Sequence, residues 1–560
     1  MMINVSATSR FVKYLSTAPL SDLVRLLNLN ALMGSWVRVR FDLMKRLWQV
    51  LSSLSPLGIA VVVALDLSIG IFLRFTTSSK LWLDEALGVN IASAPIGQLV
   101  NHLRNDGAPP LYYFVLHYWI SLFGASDSTV RSLSGMFSVL GLGAAFLLAR
   151  RLWGVRYAFV ATAVLAVLPY GVYFGTEARM YSLVMLESAL LLFVWIGDWE
   201  TGAGKRSIMT MVLITLLLYT HYWSLYLVTV LFLVEVTQIW RSRSLRQSSK
   251  LKLVAILGGG VLWLPWLPIF NEQRLHTGTP WSLPPAFFQF LNWIDALIVN
   301  QSRQHLTPST HHQVNLYLLI ALLLIGTFAM VMTERKILVL DFHVPQSAKF
   351  LAVISVGTML LGLLAAHFGG TTFAPRYASV VAIPLVLLAA RGILVLDKPL
   401  RIFLVLLLFS GGMLVTDKWG RNVQRSQAGQ VAEVLARAKP RAYVFLCPDQ
   451  IGPSVLRYAR RDLEYSSYPR YSNPTFVNWY DYKAAFSATS PAGAGSTVLA
   501  AAGNRDIYVV WSSGYTLKET CSAVVRAIAT ATGRPPERLL HAVLTGFYQS
   551  MNVTFLPYRE

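Results

Sequence analysis

The chain has 560 residues, 55% of them hydrophobic and only 13% charged, with a mean hydropathy of +0.51, whereas an ordinary soluble domain carries about 25% charged residues. That composition excludes a soluble globular protein and places the chain in the bilayer. The formal charge of +21 sits in short clusters between apolar runs, the pattern that the positive-inside rule produces, so it reads as topology and not as a nucleic-acid surface.

Residues 1–50 form an amphipathic, Arg-dotted stretch without a compact apolar core or a small-residue cleavage site, so a cytosolic N-terminal segment is expected. A bilayer core of ~30 Å needs about 20 apolar residues per helix. The first such span is 58–75. It follows Arg38, Arg40, Lys45 and Arg46, which hold the preceding segment inside and send residues 76–107 outside. Later spans are predicted at 157–174, 181–196, 251–270, 314–332, 350–367, 378–390 and 402–415. The clusters Arg150, Arg151 and Arg156, Lys205 and Arg206, and Arg241 to Lys252 are expected in the cytosol. Keeping the last two on one side requires a hairpin over 208–238 with His221 at its outer tip. By the same logic 271–312 and 371–377 are external, and Glu334, Arg335 and Lys336 are cytosolic.

Two apolar runs, 109–123 and 133–149, lie between the outer loop and the cytosolic Arg150 cluster. Two full crossings there give the wrong side, so either one is partial or the charges break the rule. The expectation is an all-α polytopic bundle of 11–13 helices over 51–417, followed by a small extracytoplasmic α/β domain over 418–560. Within that domain 442–447 and 507–511 read as buried strands. Residues 519–531 and 535–544 read as helices, and 487–503, rich in Ala, Gly and Ser, reads as a flexible loop. The chain has two cysteines, Cys447 and Cys521, too few for a disulfide framework or a zinc finger; one disulfide is open to them if both are exported.

The residues that could carry chemistry cluster on the outer side. Asp84 and Glu85 are adjacent carboxylates in a sparsely charged loop, suited to a general base beside an acceptor hydroxyl; the alternative is a helix start whose acids oppose the dipole. On a helix the two point about 100° apart, so one of them faces a given atom. Asp106, before Gly107-Ala108-Pro109-Pro110, is a further acid or a helix cap. Glu177, Arg179 and Tyr181 at a membrane boundary pair with one another or meet an anion. Arg376, next to Tyr377, offers a planar fork to phosphate. His221, with a carboxylate such as Glu85, is a candidate divalent-metal ligand, or else a hydrogen-bonded interfacial residue. Asp66 and Glu187 lie within spans and read as inter-helix hydrogen-bonding groups.

Taken in order, Asp84-Glu85, Pro109 to Tyr113 with Leu122-Phe123-Gly124, Arg131 to Ser134, Glu177 to Tyr181, His221 and Arg376-Tyr377 resemble the protein O-mannosyltransferase and aminoarabinose-transferase group of the GT-C glycosyltransferases, in its bacterial branch (glycosyltransferase family 39-like). The resemblance covers about 57–390. Many relatives carry His before the double proline, where this chain has Gly107-Ala108. It implies an inverting, metal-variable transferase whose donor is a sugar on polyprenyl phosphate. Asp84 is then the base, and Arg179 and Arg376 neutralise the departing phosphate. Glu85, Glu177 and His221 orient substrates or hold an optional metal. The implied location is a bacterial plasma membrane with the site facing outward, acting on a lipid, glycan or protein acceptor. The alternatives are a transporter or flippase of lipid-linked sugars, against which the one-sided charges and the lack of paired repeats stand, and a membrane-anchored assembly protein.

Overall fold

The computed structural model describes residues 55–199, 202–278, 310–332, 337–340, 344–369, 372–396, 400–405, 424–514, 519–543 and 547–558, with Ser53 and a few positions in 285–297. The expectations for 1–50, for the span 402–415 beyond residue 405, for Glu334 to Lys336 and for most of the loop 279–309 lie outside these residues.

The chain opens with α1 (Pro56–Leu73), started by the Ser55 hydroxyl accepting from the Gly58 amide at 3.1 Å and by Pro56 in the first turn, where a missing N–H costs nothing. Two short helices follow, α2 (Leu83–Ser93) and α3 (Ile96–Asp106). α3 ends at Gly107 in the left-handed region, φ 87°, which favours glycine. α4 (Leu111–Phe123) is only 13 residues long, and α5 (Asp127–Trp153) has 27.

These lengths bear on the ambiguity over 109–149. Asp127 receives Arg457 and Tyr458 of the C-terminal region, and Leu81 donates to the same Tyr458 hydroxyl at 2.7 Å. The start of α5 therefore shares a side with the Asp84 loop. Thirteen residues rise only about 20 Å, short of a bilayer core, whereas the 27 residues of α5 are long and apolar enough to cross one.

α6 (Val155–Val167) and α7 (Pro169–Gly175) meet at 61°, because Pro169 cannot donate to the preceding turn. After α8 (Tyr181–Trp195) come α9 (Ala203–Thr220) and α10 (Ser224–Ser242), the predicted hairpin with His221 between its arms. α11 (Gln247–Trp263) runs through a short 3-10 turn into α12 (Leu267–His276), and α13 (Thr310–Phe328), α14 (Gln346–Gly369) and α15 (Ser379–Val395) follow. Among the described residues six helices are long and apolar enough to cross a membrane, seven with the bent pair counted as one, and three further apolar helices are shorter. The span expected to 332 stops being helical at Phe328: Ala329–Met332 (β1) turns back to pair antiparallel with Ile337–Leu340 (β2). Glu187 accepts from Thr220 at 3.1 Å between α8 and α9, as expected, whereas the Asp66 oxygens have no hydrogen-bond partner.

From residue 424 the chain builds a separate α/β layer structure. It comprises β3 (Gln424–Ser426), α16 (Ala428–Leu435), β4 (Tyr443–Cys447), α17 (Gly452–Tyr458), β5 (Glu464–Ser467), α18 (Tyr482–Ser487), α19 (Pro491–Ala502), β6 (Ile507–Trp511), α20 (Thr520–Thr532), β7 (Glu537–Leu540), β8 (Phe547–Gln549) and β9 (Asn552–Leu556). The five-stranded order is β5-β4-β6-β9-β7, with β5, β4 and β6 parallel. Strands covered on both faces are continuously apolar, and β4 and β6 are buried at every position. Alternation sends Tyr443 and Phe445 toward Val498 and Val524 of α19 and α20, and Val444 and Leu446 toward Val431 and Val455 of α16 and α17. Cys447 and Cys521 form a disulfide.

Two readings of this region are corrected. Residues 491–502 form a helix, started by the Ser490 hydroxyl and packed so closely that a Cβ on Gly495 meets the Ala527 carbonyl; alanine's helix propensity overrides a composition that reads as linker. Within 535–544, Glu537–Leu540 is an edge strand on β9. Local pattern does not reveal a strand whose pairing partner is its reason for being extended.

Candidate active site

The N-terminal ends of α2, α4, α5 and α15, the turn 176–180 and the strand pair β3/β8 converge on one charged cluster. α2 begins at Leu83, just after Trp82, and carries Asp84 and Glu85 in its first turn, where the helix dipole favours carboxylates. Being adjacent, they diverge as the helix geometry requires, and their environments differ sharply.

Glu85 is fully buried. Arg131 approaches it in a bidentate fork, Nε to Oε1 at 2.8 Å and Nη2 to Oε2 at 2.6 Å. The Ala178 amide donates to Oε1 at 2.9 Å and Arg425 Nη1 to the same oxygen at 3.3 Å. Burial alone pushes this carboxyl up, but the two guanidiniums and the hydrogen bonds outweigh it and hold it below the usual range. Asp84 is 19% exposed and its carboxylate receives Arg376 Nη1 at 3.4 Å. Its own carbonyl accepts from Arg179 Nη1 at 3.3 Å.

The remaining predicted residues gather around Asp84. Arg179 also donates to the Tyr113 hydroxyl at 2.9 Å, and Tyr113 donates to Asp106 at 3.0 Å. Burial raises the Asp106 carboxyl, against the opposing effects of Arg179 and Tyr113. Glu177 accepts from the Trp82 indole at 3.0 Å, while its Oε2 is buried without a hydrogen-bond partner; burial pushes its carboxyl up to about 7. The buried Nε atoms of both Arg179 and Arg376 likewise lack a hydrogen-bond partner. His221 lies between Tyr181 and Tyr377, with ring centroids at 5.8 and 5.3 Å.

Glu85 and His221, the expected metal ligands, have other partners. Glu85 is occupied by two arginines, and His221 accepts the Trp223 amide on Nδ1 at 3.2 Å. Burial, together with Arg179 and Arg376 nearby, lowers its pKa to about 3. Cations beside a neutral imidazole do not suit a metal ion. Among the described residues no group of three or more His, Cys, Asp or Glu is placed to hold one.

The sequence reading missed partners. Arg131 stood only within a motif, although a lone arginine entering an apolar helix calls for a buried carboxylate. Arg425 was read only as one of the charges that open the C-terminal region. It is 3% exposed, donates to the Thr176 carbonyl at 2.8 Å and hydroxyl at 2.7 Å, and stacks 4.4 Å above the Tyr173 ring. Tyr548 packs edge-on to Trp82 at 4.5 Å and hydrogen-bonds Arg376. Neither carried a local signal, since Arg425 reaches Glu85, and Tyr548 reaches Trp82, from a distant part of the chain.

Residues 107–269 match the family described as dolichyl-phosphate-mannose-protein mannosyltransferase. No curated protein sequence matches the chain. Among solved structures, ArnT from Cupriavidus metallidurans bound to undecaprenyl phosphate superposes with a TM-score of 0.53 at 12% identity, covering 89% of this chain and 98% of that one. The arabinofuranosyltransferase AftD from Mycobacteria aligns at 0.48 and 13% identity, covering 91% and 40%. The Archaeoglobus fulgidus oligosaccharyltransferase in complex with Zn and sulfate aligns at 0.47 and 13%, covering 87% and 72%.

Proposed function

We propose that this chain, a membrane protein with the fold of the GT-C glycosyltransferases, transfers a sugar from a polyprenyl-phosphate carrier to an acceptor hydroxyl, with Asp84 as the general base. The observation that carries the reading is the contrast between the two carboxylates. Glu85 is consumed by Arg131, Arg425 and Ala178, whereas Asp84 is partly exposed, with one long contact, to Arg376.

In the reaction the Asp84 carboxylate takes the acceptor proton as the hydroxyl oxygen attacks the anomeric carbon. The bond from that carbon to the phosphate oxygen breaks with its electron pair, and the lipid phosphate leaves as an anion. Attack opposite the leaving group inverts the anomeric centre. Arg376 and Arg179 bring charge and a free buried Nε each to this position, which is where preorganised donors stabilise developing charge best. Tyr181, Tyr377 and His221 line the same space, and Asp106 and Glu177 offer oxygens to sugar hydroxyls. The ArnT neighbour was solved bound to undecaprenyl phosphate, which supports a polyprenyl phosphate as carrier. The disulfide of the C-terminal domain supports an outward, oxidising location for this face.

The test is transfer of radiolabel from undecaprenyl-phosphate sugars by purified protein in detergent, wild type against Asp84→Asn. Loss of a positioned base costs about 10²–10⁴ in rate, and because Asp84 makes a single side-chain contact with Arg376 the variant keeps the wild-type melting temperature. Transfer unchanged in Asp84→Asn removes Asp84 from the role. Donor movement across vesicles without transfer by the wild type replaces the enzyme reading with that of a transporter.

A further inference from the structure

β3 and β8 pair in parallel, Gln424 with Phe547 and Ser426 with Gln549. Strand alternation turns the middle residues, Arg425 and Tyr548, to the opposite face from their neighbours. Ser426 and Gln549 bond each other at 2.8 Å on the C-terminal domain's own side, while Arg425 and Tyr548 reach Glu85, Thr176, Trp82 and Arg376. The domain thereby places two side chains within the membrane site, beyond resting on it.

Arg425 ties together the two segments that must be in register for the reaction. One is the first turn of α2, through Glu85; the other is the turn 176–180, through both oxygens of Thr176. Asp84 follows the first segment and Arg179 the second, and the two already meet where Arg179 Nη1 bonds the Asp84 carbonyl. Arg131 secures Glu85 from α5 but makes no bond to Thr176, so Arg425 alone of the two guanidiniums bridges base and phosphate-facing arginine.

Resting on the transferase reading above, we infer that Arg425 is a positioning residue for the transfer reaction, and that the C-terminal domain completes the site by setting Asp84 against Arg179. Misplacement of reacting groups by about 1 Å costs on the order of 10²-fold in rate. Binding of the carrier phosphate, which rests on Arg179 and Arg376, responds far less.

The experiment uses the full chain in detergent with Arg425→Met, Arg425→Lys and Thr176→Val, the last removing one acceptor while leaving the arginine in place. Turnover and donor KM are measured with radiolabelled undecaprenyl-phosphate sugars, and affinity with undecaprenyl phosphate alone. Arg425→Met is expected to lose about 100-fold in kcat with donor KM and undecaprenyl-phosphate affinity within about threefold. Arg425→Lys recovers part of kcat, and Thr176→Val loses several-fold. If Arg425→Met does not fold, the other two variants decide, and wild-type kcat in both overturns the inference. So does a loss in Arg425→Met or Arg425→Lys that appears wholly in KM. Failure of the base assignment is separate: it shows as transfer persisting in Asp84→Asn, whatever Arg425 does.

Discussion

Glu85→Gln separates the two adjacent carboxylates by stability as well as by rate. Glu85 is fully buried and accepts from Arg131 Nε, Arg131 Nη2, Arg425 Nη1 and the Ala178 amide. Glutamine keeps the shape but has one acceptor oxygen, and its amide turns a donor toward either Arg131 or Arg425 and Ala178. Two buried guanidiniums then share no counter-charge. Removing one partner of a buried pair costs about 3–5 kcal/mol, a large fraction of the roughly 5–15 kcal/mol that a folded protein has in hand. Thermal unfolding followed by intrinsic fluorescence should show Glu85→Gln melting several degrees below wild type, with transfer lost in proportion to the loss of folded protein and of the α2 register. Asp84→Asn melts with the wild type and loses transfer. A Glu85→Gln protein of wild-type melting temperature and no transfer refutes the reasoning, because Glu85 would then be the base and its ion pairs dispensable.

Three further outcomes follow from the same contacts. Arg376→Gln removes a charge-assisted contact of about 1.5–3 kcal/mol, so undecaprenyl-phosphate affinity, measured by a direct binding titration, should fall about 10- to 150-fold. The buried Glu177 carboxyl, raised from 4.5 to about 7, holds its proton in the folded state where the unfolded chain has lost it. Its contribution of at most about 3 kcal/mol is present below pH ~4.5 and lost as pH rises through about 7; Glu177→Gln should flatten that part of a melting-temperature profile between pH 5 and 8. Reducing Cys447–Cys521, which closes a loop of sequence separation 74, should cost about 4 kcal/mol on the chain-entropy account, and dithiothreitol should lower the melting transition of the wild type but not of the Cys447→Ala, Cys521→Ala variant.

Much of this molecule is determined by sequence that can be read locally. A run of apolar residues as long as the bilayer is thick becomes a helix because no other structure satisfies its backbone in lipid. Flanking arginines orient it, and so α1, the α9/α10 hairpin and the common side of Asp84, Glu177, His221 and Arg376 are legible in the order of residues alone. The same holds for β4 and β6, whose unbroken apolar runs mark strands covered on both faces. Tertiary structure alone decided what depended on distant partners. The edge strand β7 is extended because β9 lies beside it. Above all, Asp84 and Glu85 are indistinguishable as adjacent acids. Their roles part only when α5 and β3 bring Arg131 and Arg425 to one of them and leave the other facing Arg376, since the field at a carboxylate is set by whatever charge folding places within a few ångströms of it.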